Sequence, residues 1–363
     1  MRVLVTSCPA ASHFYPVVPF ALALQRAGHH VLVATGGRFA PRAAASGLAV
    51  HPAGGDIDLL SVTPAGTQAG WGRMVALAEQ TAGDIVRLAR DWQPDLLVRT
   101  PTEFAGPIVA ELLGIPMIEH SFGLVMRRAR LRDAEEVLVP LYRRYRVRPQ
   151  LSSPTAILDV CPPTFRPPDA TVGTPMRYVP FHGTQGPTPR EPEDVDVCLT
   201  LGTILPALGH TAVLTPVLAA ASDLALRTTV LGIAPAELPG VNAQDWLPLD
   251  RVLSRCRVLA HHGGSGTTFA ALAAGVPQLV MPHMTDQPDN AARIEATGVG
   301  RSIRPDQMSR QAARTALAQL MSDGEERAAA RVLQAEVQAL PSPDTVVARL
   351  GHLCRSTAGS PER

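Results

Sequence analysis

A chain of 363 residues is too long for one ordinary core, and at roughly 150 residues per domain it predicts two. Hydrophobic residues make up 46% and charged residues 18%, a globular composition. The 33 basic and 32 acidic residues leave a net charge of +1, which excludes a large basic footprint for nucleic acid.

In chain order, Val3–Thr6, His30–Thr35, Leu48–His51, Leu96–Val98 and Met117–Glu119 read as short buried strands. Between them Pro16–Arg26, Trp71–Trp92 and Glu103–Leu113 read as helices. Pro16 suits a helix start, and Gly28 a C-terminal stop. Strands alternating with helices predict a doubly wound parallel sheet covered on both faces. Residues 53–70 and 123–150 lack strand character and read as long loops, which are functional or disordered in compact domains.

The stretch 183–194 is proline-rich without apolar periodicity and reads as a linker. The alternation then restarts. Val195–Leu201, Ala225–Leu231, Val258–His261 and Gln278–Met281 read as strands, and Ala207–Ala221, Thr267–Ala274 and Pro288–Ala296 as helices. The expectation is an N-terminal domain over 1–183, a linker over 184–194 and a C-terminal domain over 195–363. The last helix is expected to pack back on the N-terminal domain. Ligands would bind at the carboxyl ends of the strands, in a cleft between the two sheets.

Every basic residue is arginine, since the sequence has no lysine. Clusters such as Arg127, Arg128, Arg130 and Arg132 therefore read as a solvated helix face. The cysteines (Cys8, Cys161, Cys198, Cys256 and Cys354) are odd in number and widely spaced, so neither a disulfide framework nor a zinc site follows. The chain opens on a strand rather than a charged segment leading to an apolar one, so no signal peptide is expected. No apolar run reaches the ~18 residues of a membrane span. The expectation is a soluble, cytoplasmic protein without membrane insertion.

The most chemical segment runs from His261. An apolar strand enters His262-Gly263-Gly264-Ser265-Gly266-Thr267-Thr268 and a helix opens at about Thr267. The glycine amides can form an anion-binding nest, and the helix start offers unpaired N–H groups and a positive dipole end. Ser265, Thr267, Thr268 and the His262 imidazole add donors suited to a diphosphate. A plain strand–turn–helix would also need these glycines, and the spacing matches neither the Walker nor the GxGxxG pattern. Asp286 and Gln287 follow the next strand and could take hydrogen bonds from vicinal sugar hydroxyls; Asp286 could equally cap a helix. Trp246 precedes Leu247 and a proline, where an aromatic could hold a base or belong to the core.

These motifs, in this order and spacing, resemble the donor site of family 1 glycosyltransferases of the bacterial natural-product, antibiotic-forming type. Trp246-Leu247-Pro248, the glycine segment, Ala273-Ala-Gly-Val-Pro277, Asp286-Gln287 and Asn290 carry the likeness. The first unit, Pro9–Pro16 and Leu22–His29, and the loop Thr200–Thr203 resemble the same family. The resemblance implies a GT-B fold with two Rossmann-like domains, and an inverting, metal-independent transfer without a cofactor. Residue by residue it places His262, Gly264, Ser265, Gly266 and Thr267 on the diphosphate and Thr203 on a second phosphate contact. It places Trp246 and Leu247 beside the base, and Asp286 and Gln287 on the sugar. Plant relatives carry a ribose-binding glutamate where Ala270 stands here. Its loss favours a dTDP-sugar co-substrate over a UDP-sugar.

An acceptor hydroxyl needs a base, which favours histidine. His13 follows the first strand, and the resemblance puts it on the catalytic base. Arg99 and Thr100 stand where relatives carry an orienting aspartate. Glu103 is the nearest carboxylate, as a partner of His13 or as a helix opener. The departure would suit an acidic acceptor such as a phenol, or C-glycosylation. His120 and His182 read as structural. Asp56-Ile-Asp58 and Asp194-Val-Asp196 read as solvated acids, with no metal bound. The acceptor is expected to be a hydrophobic polyketide or similar aglycone, lined by aliphatic residues with Met126, Phe122 and Trp71. A monomer or homodimer is expected. Alternatives are a sugar-nucleotide epimerase of the same architecture and a catalytically silent activator of a partner transferase; a nicotinamide oxidoreductase is disfavoured because Ser7–His13 contains no glycine.

Overall fold

The computed structural model describes residues 1–64, 71–151, 153–183 and 194–354. The stretch 184–193, read as linker, lies outside them. By packing, the chain forms two units: Met1–Val160 with Pro168–Arg177 and the tail from Pro341, and Cys161–Pro167 with Tyr178–Leu340. Both are α/β.

The first unit carries β1 (Arg2–Thr6), β2 (His30–Gly36), β3 (Ala49–Ala53), β4 (Leu96–Arg99), β5 (Met117–His120), β6 (Ala156–Asp159) and β7 (Thr174–Pro175). All pair in parallel, in the order β3-β2-β1-β4-β5-β6-β7. Strand order reverses between β1 and β4, the place where open α/β sheets bind ligands. Val3, Leu4 and Val5, and Leu96, Leu97 and Val98, are fully buried, as strands covered on both faces require. The helix Gly72–Trp92 buries Ala78, Ala82, Ile85 and Ala89, spaced at three or four residues along one stripe. It ends at Gln93 in the left-handed conformation.

The second unit carries β8 (Val195–Thr200), β9 (Thr228–Leu231), β10 (Ala243–Gln244), β11 (Cys256–His261), β12 (Gln278–Val280) and β13 (Gly300–Ser302). They are parallel, in the order β10-β9-β8-β11-β12-β13, with the reversal between β8 and β11.

Three expectations need correction. Residues 123–150 are not a loop: Arg128–Arg144 is a helix that buries Leu131, Ala134, Leu138, Leu141 and Tyr142. Arg127, Arg128, Arg130 and Arg132 are exposed beside that stripe. The helix read over Ala207–Ala221 is two, Ile204–Ala207 and Leu214–Asp223, with Gly209 in the left-handed region between them. The helix expected from Glu103 begins at Gly106.

The helix Pro343–Ala348 packs on Val18–Arg26 within the first unit. Arg26 grips both oxygens of Asp344, at 2.8 and 2.9 Å.

Candidate functional site

In the first unit the polar residues gather beyond the carboxyl ends of β1 and β4. His13 lies on the short helix Ala11–Phe14 and is half-buried. Its Nδ1 is 3.0 Å from Thr102 Oγ1, and its ring meets Phe122 edge to face at 5.1 Å. Cys8 Sγ donates to the Thr102 carbonyl at 3.3 Å. Burial, and next the Glu103 charge, push that thiol up to about 12, so it is an inert packing group.

Of the two readings of Glu103, partner of His13 or helix opener, the hydrogen bonds follow the second. Its Oε2 accepts the Thr6 hydroxyl at 2.6 Å, and its Oε1 accepts the Ala105 and Gly106 amides at 2.7 and 3.1 Å. It closes the start of the helix Gly106–Leu113, where an acid also suits the dipole. A Cβ on Gly106 would stand 2.6 Å from Glu103 Oε2, so the cap needs glycine there. Burial raises the Glu103 carboxyl above its ordinary range, and the bonds from Thr6, Ala105 and Gly106 oppose the shift. Thr102, not singled out in the sequence, holds the position at His13 Nδ1. Of the apolar residues expected around an acceptor, Phe122 touches His13. Trp71 is instead buried against Phe104 at 5.6 Å, and Met126 packs on the same core.

In the second unit the residues expected at a donor site follow β8, β10, β11 and β12. Thr203 is exposed beyond β8, at the start of Ile204–Ala207. Trp246 follows β10 and is 37% exposed, so it is not the core residue the sequence also allowed; Leu247 beside it is half-buried. The glycine segment leaves β11 and becomes helical at Ser265, two residues before the expected start, with Gly264 as the N-terminal cap residue.

This loop is built around His261 and His262. His261 is fully buried, accepts the Gly263 amide on Nδ1 at 3.1 Å, and therefore donates from Nε2 to Gln278 Oε1 at 2.9 Å. Burial, then the neighbouring His262, lowers its pKa to about 3, so it stays neutral. Gly263 takes a φ of +89°, and a Cβ there would press on Val280 Cγ1 at 2.8 Å. The His262 ring lies between Gly202 and Gly264. A Cβ on Gly202 would stand 2.8 Å from His262 Cε1, and one on Gly264 would overlap His262 Nε2. Its Nδ1 is buried without a hydrogen-bond partner among the described residues. Burial lowers the His262 pKa to about 4, against the pull of Asp286. The first turn of Ser265–Ala274 leaves the Gly266 amide without an intrahelical acceptor by its position. Tyr178 Oη donates to the Gly266 carbonyl at 3.0 Å and ties down that turn.

Asp286 and Ser265 meet. Asp286 Oδ2 accepts the Ser265 amide at 3.0 Å, the Ser265 hydroxyl at 2.6 Å and Asn290 Nδ2 at 3.2 Å. Gln287 Oε1 accepts the His283 and Met284 amides at 2.7 and 3.1 Å. Thr285, immediately before, has a φ of +57°. A β-branched residue there costs on the order of 1–3 kcal/mol, a strain that collects at functional sites. Ala270 is fully buried in the same helix and presents no polar atom. The two Asp-x-Asp strings are taken up by arginine: Asp56 and Asp58 face Arg38 at 3.1 and 3.6 Å, and Asp196 faces Arg227 at 3.4 Å.

Comparison with known proteins agrees with this architecture. Residues 231–353 match the erythromycin biosynthesis protein CIII-like C-terminal domain, and 22–82 and 63–202 match the corresponding N-terminal domain. The L-demethylnoviosyl transferase of Streptomyces niveus is 36% identical, over 98% of this chain and 99% of its own. The Streptomyces sp. SF2575 glycosyltransferase SsfS6, complexed with thymidine diphosphate, superposes with a TM-score of 0.81 at 28% identity, over 97% of this chain and 99% of its own. The spinosyn rhamnosyltransferase SpnG, complexed with spinosyn aglycone, gives 0.81 at 31% identity, over 97% and 100%. Fold and relatives thus define a glycosyltransferase of GT-B architecture. The chain belongs to the bacterial natural-product branch of the family 1 glycosyltransferases.

Proposed function

We propose that this enzyme transfers a sugar, typically a deoxysugar, from a dTDP-sugar to a hydroxyl of a hydrophobic natural-product aglycone, with inversion and without a metal. The observation that carries the reading is the His262 loop. Gly202 and Gly264, which lack side chains, admit the imidazole, its Nδ1 has no hydrogen-bond partner among the described residues, and a helix start with an available amide follows at once. These groups suit a diphosphate leaving group, whose growing charge the helix terminus stabilises. Thr203 and Thr267 add hydroxyls, and Trp246 with Leu247 supplies a face for the base. Ala270 offers no acceptor for a ribose 2′-hydroxyl, which favours a deoxyribose nucleotide, and SsfS6 is complexed with thymidine diphosphate.

His13 is the general base. Thr102 Oγ1 accepts Nδ1–H, which fixes the tautomer in which Nε2 carries the lone pair that takes the acceptor proton. The acceptor oxygen attacks C1 from the face opposite the diphosphate. The C1–O bond to phosphate breaks, dTDP leaves with the electron pair, and the proton stays on His13. Asp286 and Gln287 take the sugar hydroxyls while shaping their loops. Glu103 acts as a helix cap rather than as the partner of His13.

The test is transfer from a dTDP-deoxysugar to a panel of polyketide aglycones in EDTA, with the product's anomeric configuration read by NMR. Inverted product formed in EDTA supports the reading. Retained configuration, or activity abolished by EDTA, overturns it.

A further inference from the structure

We propose that Arg99 is a positioning residue for His13, acting through the loop Thr100–Glu103; the inference rests on His13 being the base. Arg99 ends β4 and Glu119 sits near the end of β5, and the two are direct register partners on neighbouring parallel strands. Both are fully buried, and Arg99 Nη2 forms an ion pair with Glu119 Oε2. The same guanidinium reaches into the loop. Nη1 donates to the carbonyls of Pro101 at 2.9 Å and of Glu103 at 3.4 Å, the two residues that flank Thr102. Nη2 also donates to the Leu151 carbonyl at 2.9 Å. From the other side, the Glu103 side chain ties the loop to Thr6 of β1. Thr102 is thereby held with its hydroxyl 3.0 Å from His13 Nδ1.

A hydroxyl lacks the charge that lets a carboxylate find an imidazole over a range of geometries, so its placement has to come from the backbone. The planar guanidinium fork serves several carbonyls at fixed angles, and lysine does not. Glu119 supplies the charge that allows an arginine to be buried there at all. Well-packed apolar residues often replace a buried ion pair without loss of stability, so stability alone does not account for this one. The loop carbonyls account for it.

The test is 15N NMR of histidine-labelled full-length protein, the His13 signal being assigned by its loss in His13→Gln. Wild type should show the Nδ1–H tautomer with Nε2 unprotonated. Thr102→Val should shift His13 towards the Nε2–H tautomer of a free imidazole. The double variant Arg99→Met/Glu119→Met should give the same shift, and adding Thr102→Val to it should give no further change. dTDP affinity should stay within twofold throughout, which checks folding of the second unit. If the double variant does not fold, Arg99→Lys, which keeps the charge and loses the fork, replaces it. A wild-type tautomer in the Arg99 variants, or additive shifts, overturns the proposal. The base assignment is judged separately: full transfer activity in His13→Gln would remove it whatever the tautomer of the Arg99 variants.

Discussion

A Cβ on Gly202 would stand 2.8 Å from Cε1 of His262, although the two residues lie on different loops, after β8 and after β11. Gly264 faces the same ring from the other side. The imidazole is thus confined by bare backbone, and any side chain at either glycine displaces it. Gly264→Ala should leave the fold intact, because the φ of Gly264, −63°, is open to any residue. It should weaken dTDP binding by about tenfold, the loss of roughly one charge-assisted hydrogen bond. Calorimetric titration measures this. Unchanged affinity in Gly264→Ala would mean that His262 is not a phosphate ligand.

Thr102 and Glu103 are adjacent and should behave differently. Thr102→Val should lower kcat by about 10- to 100-fold, less than the roughly 10²- to 10⁴-fold that a general base itself contributes, with dTDP affinity unchanged. Thr102→Ser should restore most of the rate. Glu103→Ala should mainly cost stability, about 2–4 kcal/mol for a buried cap that binds a hydroxyl and two amides. Urea denaturation beside steady-state kinetics separates the two. A Glu103→Gln variant that is stable yet loses as much kcat as His13→Ala would return Glu103 to the chemistry.

Asp286 joins two loops through the Ser265 amide and hydroxyl. Asp286→Ala should therefore lose stability, by about 1–3 kcal/mol for the donors left unpaired, together with transfer. Asp286→Asn keeps the shape and should recover much of the stability and little of the transfer. If stability is unchanged in Asp286→Ala, the loop-joining role is wrong.

His120 is fully buried near Phe20, and burial lowers its pKa to about 4. The unfolded chain binds that proton at about 6.5, so between pH 6.5 and 4 unfolding takes up a proton and stability falls as the pH drops. His120→Leu should remove this contribution. Its stability relative to wild type should rise by about 1.4 kcal/mol for each pH unit lowered across that window and be flat above it. Parallel stability curves for the two proteins would show that His120 does not titrate as its burial dictates.

Much of this was legible in the residues. Apolar runs such as Val3–Thr6 and Val258–His261 have one reading in a parallel sheet, and strand, glycines and helix follow one another in the order the donor loop needs. What escaped has physical reasons. Arg128–Arg144 reads as a loop because arginines and Pro140 dilute its stripe, yet Leu131, Ala134, Leu138 and Leu141 hold it to the core. β6 and β7 are short, and β7 contains a proline, as an edge strand allows. Thr102 has no signature: a threonine in a turn becomes significant only once β1 and β4 are known to be neighbours. Arg99 and Glu119 did leave a signal. Each places a charge late in an apolar strand, with opposite signs.

The account stands most directly on the nucleotide. Thermal unfolding with dTDP, UDP and GDP at equal concentration compares them in one experiment. At about 100 times its Kd, dTDP should stabilise the folded protein by about 2.7 kcal/mol, with smaller effects from UDP and GDP, and only about 1.4 kcal/mol from dTDP in His262→Ala, as a roughly tenfold weaker Kd requires. A larger shift with UDP or GDP, or no shift with any of the three, would contradict the assignment of the His262 loop to a dTDP-sugar.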